Sequence, residues 1–396
     1  MQKEIPADLQ IHILQKLPLS GCIIRLRRVC RSWRALLSEP SFLRQKLSWP
    51  DEDADETSSD NSSSLTMMIE NHDTDGIERA RSVYSLYSCN ALKRLREAAD
   101  IPFNLHNYDI TGCCGGLLCF YERRKRPAGA RDAILWNPAT KETKVLPPTL
   151  FNVPCKETWV PAVGLGFDRE TNDYKVVRHI HYYVVEDDPQ GFRLYYFVEV
   201  YSLRNDSWKE IDTGGYLESD DDPFDPIFSY SVEPQCYNGK LYWWRDSSST
   251  EFVSFDMTKE VFEKVDVRNP KVRWDVCSLF VLPSQEDSLV AICSVGRDES
   301  LEVWALLKLW VPESWTKLLV VPAVTHLQDL CGMSGNFLFC YYRDIGIVDP
   351  TRRIFVAYHL VTGEAIELDM SLPYQIMNYV PSRVSLTKKK NSSDFD

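Results

Sequence analysis

The stretch Ala133-Ile134-Leu135-Trp136-Asn137-Pro138-Ala139-Thr140-Lys141-Glu142-Thr143-Lys144-Val145-Leu146 decides the fold. An apolar run, a polar cluster around Asn-Pro, and a second run of alternating character read as strand, turn, strand. The same grammar returns at residues 198–211, 252–265 and 356–368. Trp136 and Leu146, Tyr201 and Ile211, Phe255 and Val265, and Tyr358 and Leu368 are each ten positions apart, so the units are hairpins of one register. Residues 301–318 are a fifth copy with a longer turn, in which Glu313-Ser314-Trp315 echoes Asp206-Ser207-Trp208.

A second recurring element precedes three of these hairpins. Gly115-Gly116-Leu117-Leu118, Asn238-Gly239-Lys240-Leu241 and Ser334-Gly335-Asn336-Phe337 each place glycine ahead of an aromatic-rich run, as expected where a buried strand is entered from a tight turn. Together the two elements give about four strands per unit, spaced near the roughly 50 residues of kelch-type blades. Radial stacking of such units leaves only short strand edges. The expected fold is therefore mostly β, a kelch-like β-propeller of repeated hairpins, with an open β-sandwich as the alternative. Blade number stays open at five, six or more; strands at residues 82–87 and 383–386 are expected to close the ring. Helical periodicity in this region is confined to residues 91–99.

The first forty-odd residues are written differently. Leu9, Ile13, Leu14 and Leu17 fall at helical spacing before Pro18, and Leu26, Val29, Cys30, Trp33, Leu36 and Leu37 repeat that spacing on a second helix. A third, shorter helix opens at Pro40 and carries Phe42, Leu43 and Leu47. Three short helices bury too little surface to stand alone, because isolated units below about 40 residues usually need outside help. Arg25, Arg27, Arg28, Arg31 and Arg34 crowd one helix, and no acidic residue occurs between Asp8 and Glu39 in a chain of net charge −12. An apolar, basic helical unit in an acidic chain points to an acidic protein partner.

Ile5-Pro6-Ala7-Asp8-Leu9, Ile13-Leu14, Leu17-Pro18, Val29-Cys30-Arg31-Ser32-Trp33 and Pro40-Ser41-Phe42 together resemble an F-box, the motif that docks substrate receptors on the Skp-type adaptor of cullin-based ubiquitin ligases. The resemblance implies an adaptor-facing edge of Ile5, Pro6, Leu9, Ile13, Leu14, Leu17 and Pro18, joined by Val29, Cys30 and Trp33. Further along, Gly112-Cys113-Cys114-Gly115-Gly116-Leu117-Leu118-Cys119, Leu135-Trp136-Asn137-Pro138-Ala139-Thr140, Gly164-Leu165-Gly166-Phe167-Asp168 with Thr171-Asn172-Asp173-Tyr174, and Asp206-Ser207-Trp208 resemble the F-box-associated interaction domain of plant F-box proteins. The S-locus F-box proteins share this layout, as do receptors of other pathways, and these residues do not separate them. The resemblance implies a substrate-recognition subunit without bond chemistry of its own, partnered by a Skp-type adaptor, through it a cullin, and a target protein.

The expected domains are a helical F-box at 1–48, an acidic, Ser-rich disordered linker at 49–80, the β domain at 81–388 and a polar tail at 389–396. Loops at 186–190, 218–225 and 123–126 carry charge that could meet a target, but solvated loops carry it equally well. No basic, apolar leader opens the chain and no run approaches the roughly 18 apolar residues of a membrane span, so cytosol or nucleus is the expected location. The twelve cysteines read as reduced thiols of the core. Cys113-Cys114 fits no zinc spacing. The sequence holds no phosphate-binding loop and no nucleophile elbow. His179-Ile180-His181, two imidazoles on one side of a strand, is the best metal-like feature, against which stands an ordinary half-exposed strand. No cofactor is expected. A pI near 5.2 weighs against nucleic acid. The alternative function is a binding scaffold whose helical segment serves some other acidic partner.

Overall fold

The computed structural model describes Trp33 and residues 65–72, 81–88, 92–103, 105, 107–122, 133–151, 157–184, 193–213, 234–244, 251–266, 269, 277–281, 289–295, 300–306, 311–321, 327–335, 337–343, 353–360, 362–368, 373 and 375–387. Among the described residues, six four-stranded sheets are the blades of a β-propeller. The first joins β1 (Leu65–His72), β2 (Arg81–Ser88) and β3 (Arg94–Asp100) to β24 (Gln375–Tyr379), which adds beside β1. The second is β4 (Tyr108–Cys114), β5 (Leu117–Glu122), β6 (Ala133–Asn137) and β7 (Glu142–Val145). The third is β8 (Glu157–Asp168), β9 (Asp173–Val184), β10 (Arg193–Ser202) and β11 (Ser207–Glu210). The fourth is β12 (Gln235–Tyr237), β13 (Lys240–Trp244), β14 (Glu251–Asp256) and β15 (Val261–Asp266). The fifth is β16 (Cys277–Val281), β17 (Leu289–Val295), β18 (Ser300–Leu306) and β19 (Trp315–Val321). The sixth is β20 (Leu327–Ser334), β21 (Phe337–Arg343), β22 (Arg353–His359) and β23 (Ala365–Leu368). One compact unit holds β16–β23; the other holds β4–β15 with most of β1–β3 and β24.

The repeated hairpins share one register and one turn. Trp136 faces Thr143, Tyr201 faces Trp208, and Tyr358 faces Ala365. Five positions after the leading aromatic, the backbone is left-handed at Lys141 (φ 61°), Asp206 (57°), Glu260 (55°) and Gly363 (75°). Such a conformation is strained for any residue but glycine, so something else must hold the turn. The residue just after each aromatic does so. Asn137 Oδ1 accepts from the Ala139 N–H at 3.0 Å, and Asp256 Oδ1 accepts from the Thr258 and Lys259 N–H groups at 3.0 Å. Ser202 Oγ and His359 Nδ1 take the equivalent place, accepting from the N–H groups of Asn205 and Thr362. These are side-chain-closed turns. In the fifth copy β18 and β19 slip register at Val303/Trp304, and β19 is entered through a 3-10 turn at Pro312–Ser314.

The glycine signals mark the first turn of three blades. Gly115 (φ 52°) and Gly116 (80°) link β4 to β5, Asn238 (47°) and Gly239 (76°) link β12 to β13, and Gly335 (56°) follows β20. The strand entered next is apolar throughout because it is covered on both faces: Leu117, Leu118, Cys119, Phe120 and Tyr121 are all buried, as are Phe337, Leu338, Phe339 and Cys340.

Three expectations are corrected. The segment 49–80 contains β1, where Thr66, Met67, Met68 and Ile69 are buried and Met67 and Ile69 pack with Tyr84 and Trp136, so residues 65–72 are strand rather than linker. The helical periodicity at 91–99 overlaps β3, a strand that pairs only with β2 and exposes Leu95. Residues 383–386 are not a strand; β24 occupies the place beside β1, and 380–387 run on without strand pairing. The expected polar tail at 389–396 lies outside the described residues.

Arg178 and Glu199, directly opposed on β9 and β10, form an ion pair at 1 % and 0 % exposure. Arg178 Nε donates to Glu199 Oε1 at 2.7 Å, and its guanidinium lies 4.2 Å from the Trp208 ring centroid. Glu199 also accepts from Thr149 Oγ1 at 2.6 Å and the Leu150 N–H at 2.9 Å, so its lone pairs are spoken for. Removing one partner strands a buried charge, a loss of roughly 3–5 kcal/mol, whereas replacing both with apolar residues is close to neutral. Urea unfolding should show Glu199→Leu and Arg178→Met each destabilised by that order and the double variant largely restored.

Candidate functional site

Of the residues expected to face the adaptor, Trp33 is described: it is helical and half-buried. Ile5, Pro6, Leu9, Ile13, Leu14, Leu17, Pro18, Val29 and Cys30 lie outside the described residues, as do the charged loops at 123–126, 186–190 and 218–225.

Within the unit that holds β4–β15, a cleft of about 360 Å³ opens where the β8–β9 turn, the β10–β11 turn and the strap 380–387 converge. The strap is held by two residues of the β6–β7 hairpin. Asn137, whose oxygen closes the turn, uses its Nδ2 to donate to the Ser382 carbonyl at 3.0 Å and the Val384 carbonyl at 2.8 Å. Glu142 accepts from the Leu386 N–H at 2.8 Å and from Ser385 Oγ at 3.0 Å. The Leu386 N–H foremost, with the hydroxyls of Ser385, Thr387 and Thr140, holds the Glu142 carboxyl below its usual range. Leu386 is buried among Leu117, Leu135 and Trp208. Beneath the strap, a Cβ on Gly116 would stand 2.3 Å from the Val380 carbonyl, at a φ of +80°. Gly116→Ala must therefore push the strap off its seat, lowering stability by about 1–3 kcal/mol and raising proteolysis within 380–387.

Phe167, Val384 and Leu386 give the cleft apolar walls, and Lys144, Asp173 and Arg204 give it a polar rim. The rim is internally paired. Lys144 lies 3.0 Å from Asp206, and Asp173 accepts from Ser202 Oγ at 2.6 Å and the Arg204 N–H at 2.8 Å. Tyr201 donates its hydroxyl to Asp206 at 2.8 Å; burial, then that bond, raises its pKa.

The third and fourth blades are joined by a charge network that the sequence reading missed. Buried Lys175 lies 2.9 Å from Asp168 and 3.0 Å from Glu260, and donates to the Met257 carbonyl at 2.7 Å; Thr258 Oγ1 donates to Asp168 at 2.8 Å. Burial pushes the Asp168 carboxyl up, but bonds from Thr171, Lys175 and Thr258 outweigh it and hold the pKa well below the usual carboxylate range. Its sequence signal is local: Asp168 and Asp256 each precede a threonine within a turn, at Thr171 and Thr258.

His179 and His181 share one face of β9 but are fully buried, which corrects the half-exposed strand. His179 packs edge-on to Phe262 at 5.2 Å and against Trp243, and His181 edge-on to Tyr196 at 4.8 Å. Burial pushes His179 well below its ordinary pKa and His181 down to about 3. Among the described residues no group of three or more His, Cys, Asp or Glu could hold a metal ion.

Each of these depressed pKa values means that the unfolded chain binds protons first, so stability is lost as pH falls. The histidine part goes as pH drops below about 6.5 and the Asp168 part below about 4. Thermal melting against pH should show both stages, with the lower one blunted in Asp168→Asn.

The chain matches the F-box associated beta propeller domain over residues 70–386 and the F-box domain over residues 3–45. It belongs to the F-box proteins with an F-box-associated propeller. This F-box protein is 24 % identical over 324 residues to the F-box/kelch-repeat protein At3g23880 of Arabidopsis thaliana, covering 81 % of this chain and 80 % of that one. It is 25 % identical over 407 residues to the Arabidopsis F-box/LRR-repeat/kelch-repeat protein At2g27520, covering 97 % and 98 %. Among solved structures, a Trypanosoma rangeli sialidase aligns at 9 % identity and a TM-score of 0.37 over 76 % of this chain and 52 % of that one.

Proposed function

We propose that this F-box protein is the substrate-recognition subunit of a Skp-cullin-F-box ubiquitin ligase, acting in the cytoplasm or nucleus. The observation that carries the reading is the order of its two matched parts, an F-box at 3–45 followed by a propeller at 70–386. The helical part docks on the Skp-type adaptor through the apolar edge of Ile5, Pro6, Leu9, Ile13, Leu14, Leu17 and Pro18, with Val29, Cys30 and Trp33. The propeller holds the target. The subunit performs no bond chemistry; it raises the effective concentration of target lysines near a charged ubiquitin-conjugating enzyme. The cleft beside the strap, with apolar walls and a paired polar rim, is the described surface best suited to a peptide side chain.

Leu9→Glu with Pro18→Glu should abolish co-purification with the Skp-type adaptor while the propeller keeps its melting temperature. Retained adaptor binding would instead favour a scaffold that uses the helical segment for another partner.

A further inference from the structure

Two thiols 122 positions apart in sequence meet within one unit. Cys114, the last residue of β4, and Cys236, in β12, place their Sγ atoms 3.0 Å apart. Both are free and half-buried. We propose that Cys114 and Cys236 form a redox-active dithiol, which hydrogen peroxide oxidises to a disulfide joining β4 to β12.

The placement is built into the blades. Cys114 abuts the Gly115-Gly116 turn, and Cys236 sits just ahead of the Asn238-Gly239 turn, so both are fixed at strand ends. The Tyr174 hydroxyl donates to the Gly115 carbonyl at 2.9 Å and pins the first of these turns. Strand alternation separates the neighbouring thiols: Cys113 packs with Tyr84, Phe120 and Trp136, whereas Cys114 packs on the opposite face with Leu117 and Leu165. Only Cys114 therefore faces Cys236. About 1 Å of travel brings the sulfurs to the roughly 2.05 Å of a disulfide.

The electrostatics give the two thiols different parts. Cys236 is held below the ordinary thiol pKa, first by its hydrogen bond with Cys114, then by the Phe167 N–H and the charge of Arg169, against burial. Cys114 is raised, foremost by that same bond. Cys113 is pushed up to about 12 by burial and by Cys236, which keeps it a thiol. With the Phe167 N–H beside it, Cys236 is taken as the nucleophile and Cys114 as the resolving thiol.

The Cys236 thiolate attacks one peroxide oxygen, the O–O bond breaks, and hydroxide leaves, taking a proton to become water. Cys114 sulfur then attacks Cys236 sulfur; the S–O bond breaks, and hydroxide leaves with the Cys114 proton as a second water. Two thiols lose two electrons, and one peroxide becomes two waters. The bond would close a loop long enough to constrain the unfolded chain strongly.

The test is peptide mapping of the full-length protein, reduced and then treated with hydrogen peroxide, digested without reductant. The expected product is a linked peptide pair, two hydrogens lighter than its parts, whose fragment ions place the bond at Cys114 and Cys236. The link should vanish with dithiothreitol, survive Cys113→Ser, and be absent from Cys114→Ser and Cys236→Ser. The urea midpoint of the oxidised protein should rise and fall back on reduction. A link through Cys113, Cys236 carried only to sulfinic acid, or unchanged thiols would overturn the proposal. The map of the unsubstituted protein decides the matter even if a serine variant fails to fold, and no outcome depends on adaptor binding.

Discussion

The left-handed residue that ends four of the outer hairpin turns fixes the register on which those blades depend. With Lys141, Asp206, Glu260 and Gly363 at the same offset, the aromatic five positions earlier is committed to the buried face. A slip of one residue would turn Trp136, Tyr201, Phe255 and Tyr358 out to water together. Three of these positions carry a side chain that disfavours the conformation, so the preceding Asn, Ser or Asp, which satisfies the turn's N–H groups, supplies the compensation. At Asn137 the same side chain reaches beyond its turn to the strap, because an amide both accepts and donates where a carboxylate or ring nitrogen only accepts.

Register also explains the charges. Arg178 and Glu199 sit among apolar strand residues, Val176, Val177 and Ile180 on β9 and Val198 and Val200 on β10. Opposed across β9 and β10 they neutralise each other away from water. Lys175, Asp168 and Glu260 perform a similar task between blades, and because Lys175 takes both carboxylates, the third and fourth blades are tied by charge as well as by apolar contact.

Much of this was legible in the sequence because it is local. Hairpin spacing, the Asn-Pro and Asp-Ser turns and the glycines before buried strands all act within a dozen residues, and each predicted hairpin is a pair of adjacent strands in the structure. What the sequence hid is non-local. Nothing near Arg178 marks Glu199 as its partner until the register of β9 and β10 is known. Residues 383–386 alternate like a strand, yet Pro381 and the bonds to Asn137 and Glu142 hold them as a strap, leaving the ladder beside β1 to β24. The short run at 91–99 fits two periods at once, and pairing with β2 settles it as strand. The expected adaptor edge rests on a resemblance carried by spaced apolar residues, and all of it but Trp33 lies outside the described residues.

The proposed function divides labour between the segment at 3–45 and a propeller in which the buried charges Asp168, Lys175, Arg178 and Glu199 are paired. Hydrogen exchange of the full-length protein with and without the Skp-type adaptor tests that division most directly. The account predicts adaptor-dependent protection confined to residues 3–45, with the amides of β4–β15 unchanged. Protection spread over the blades, or none in the helical segment, would contradict it.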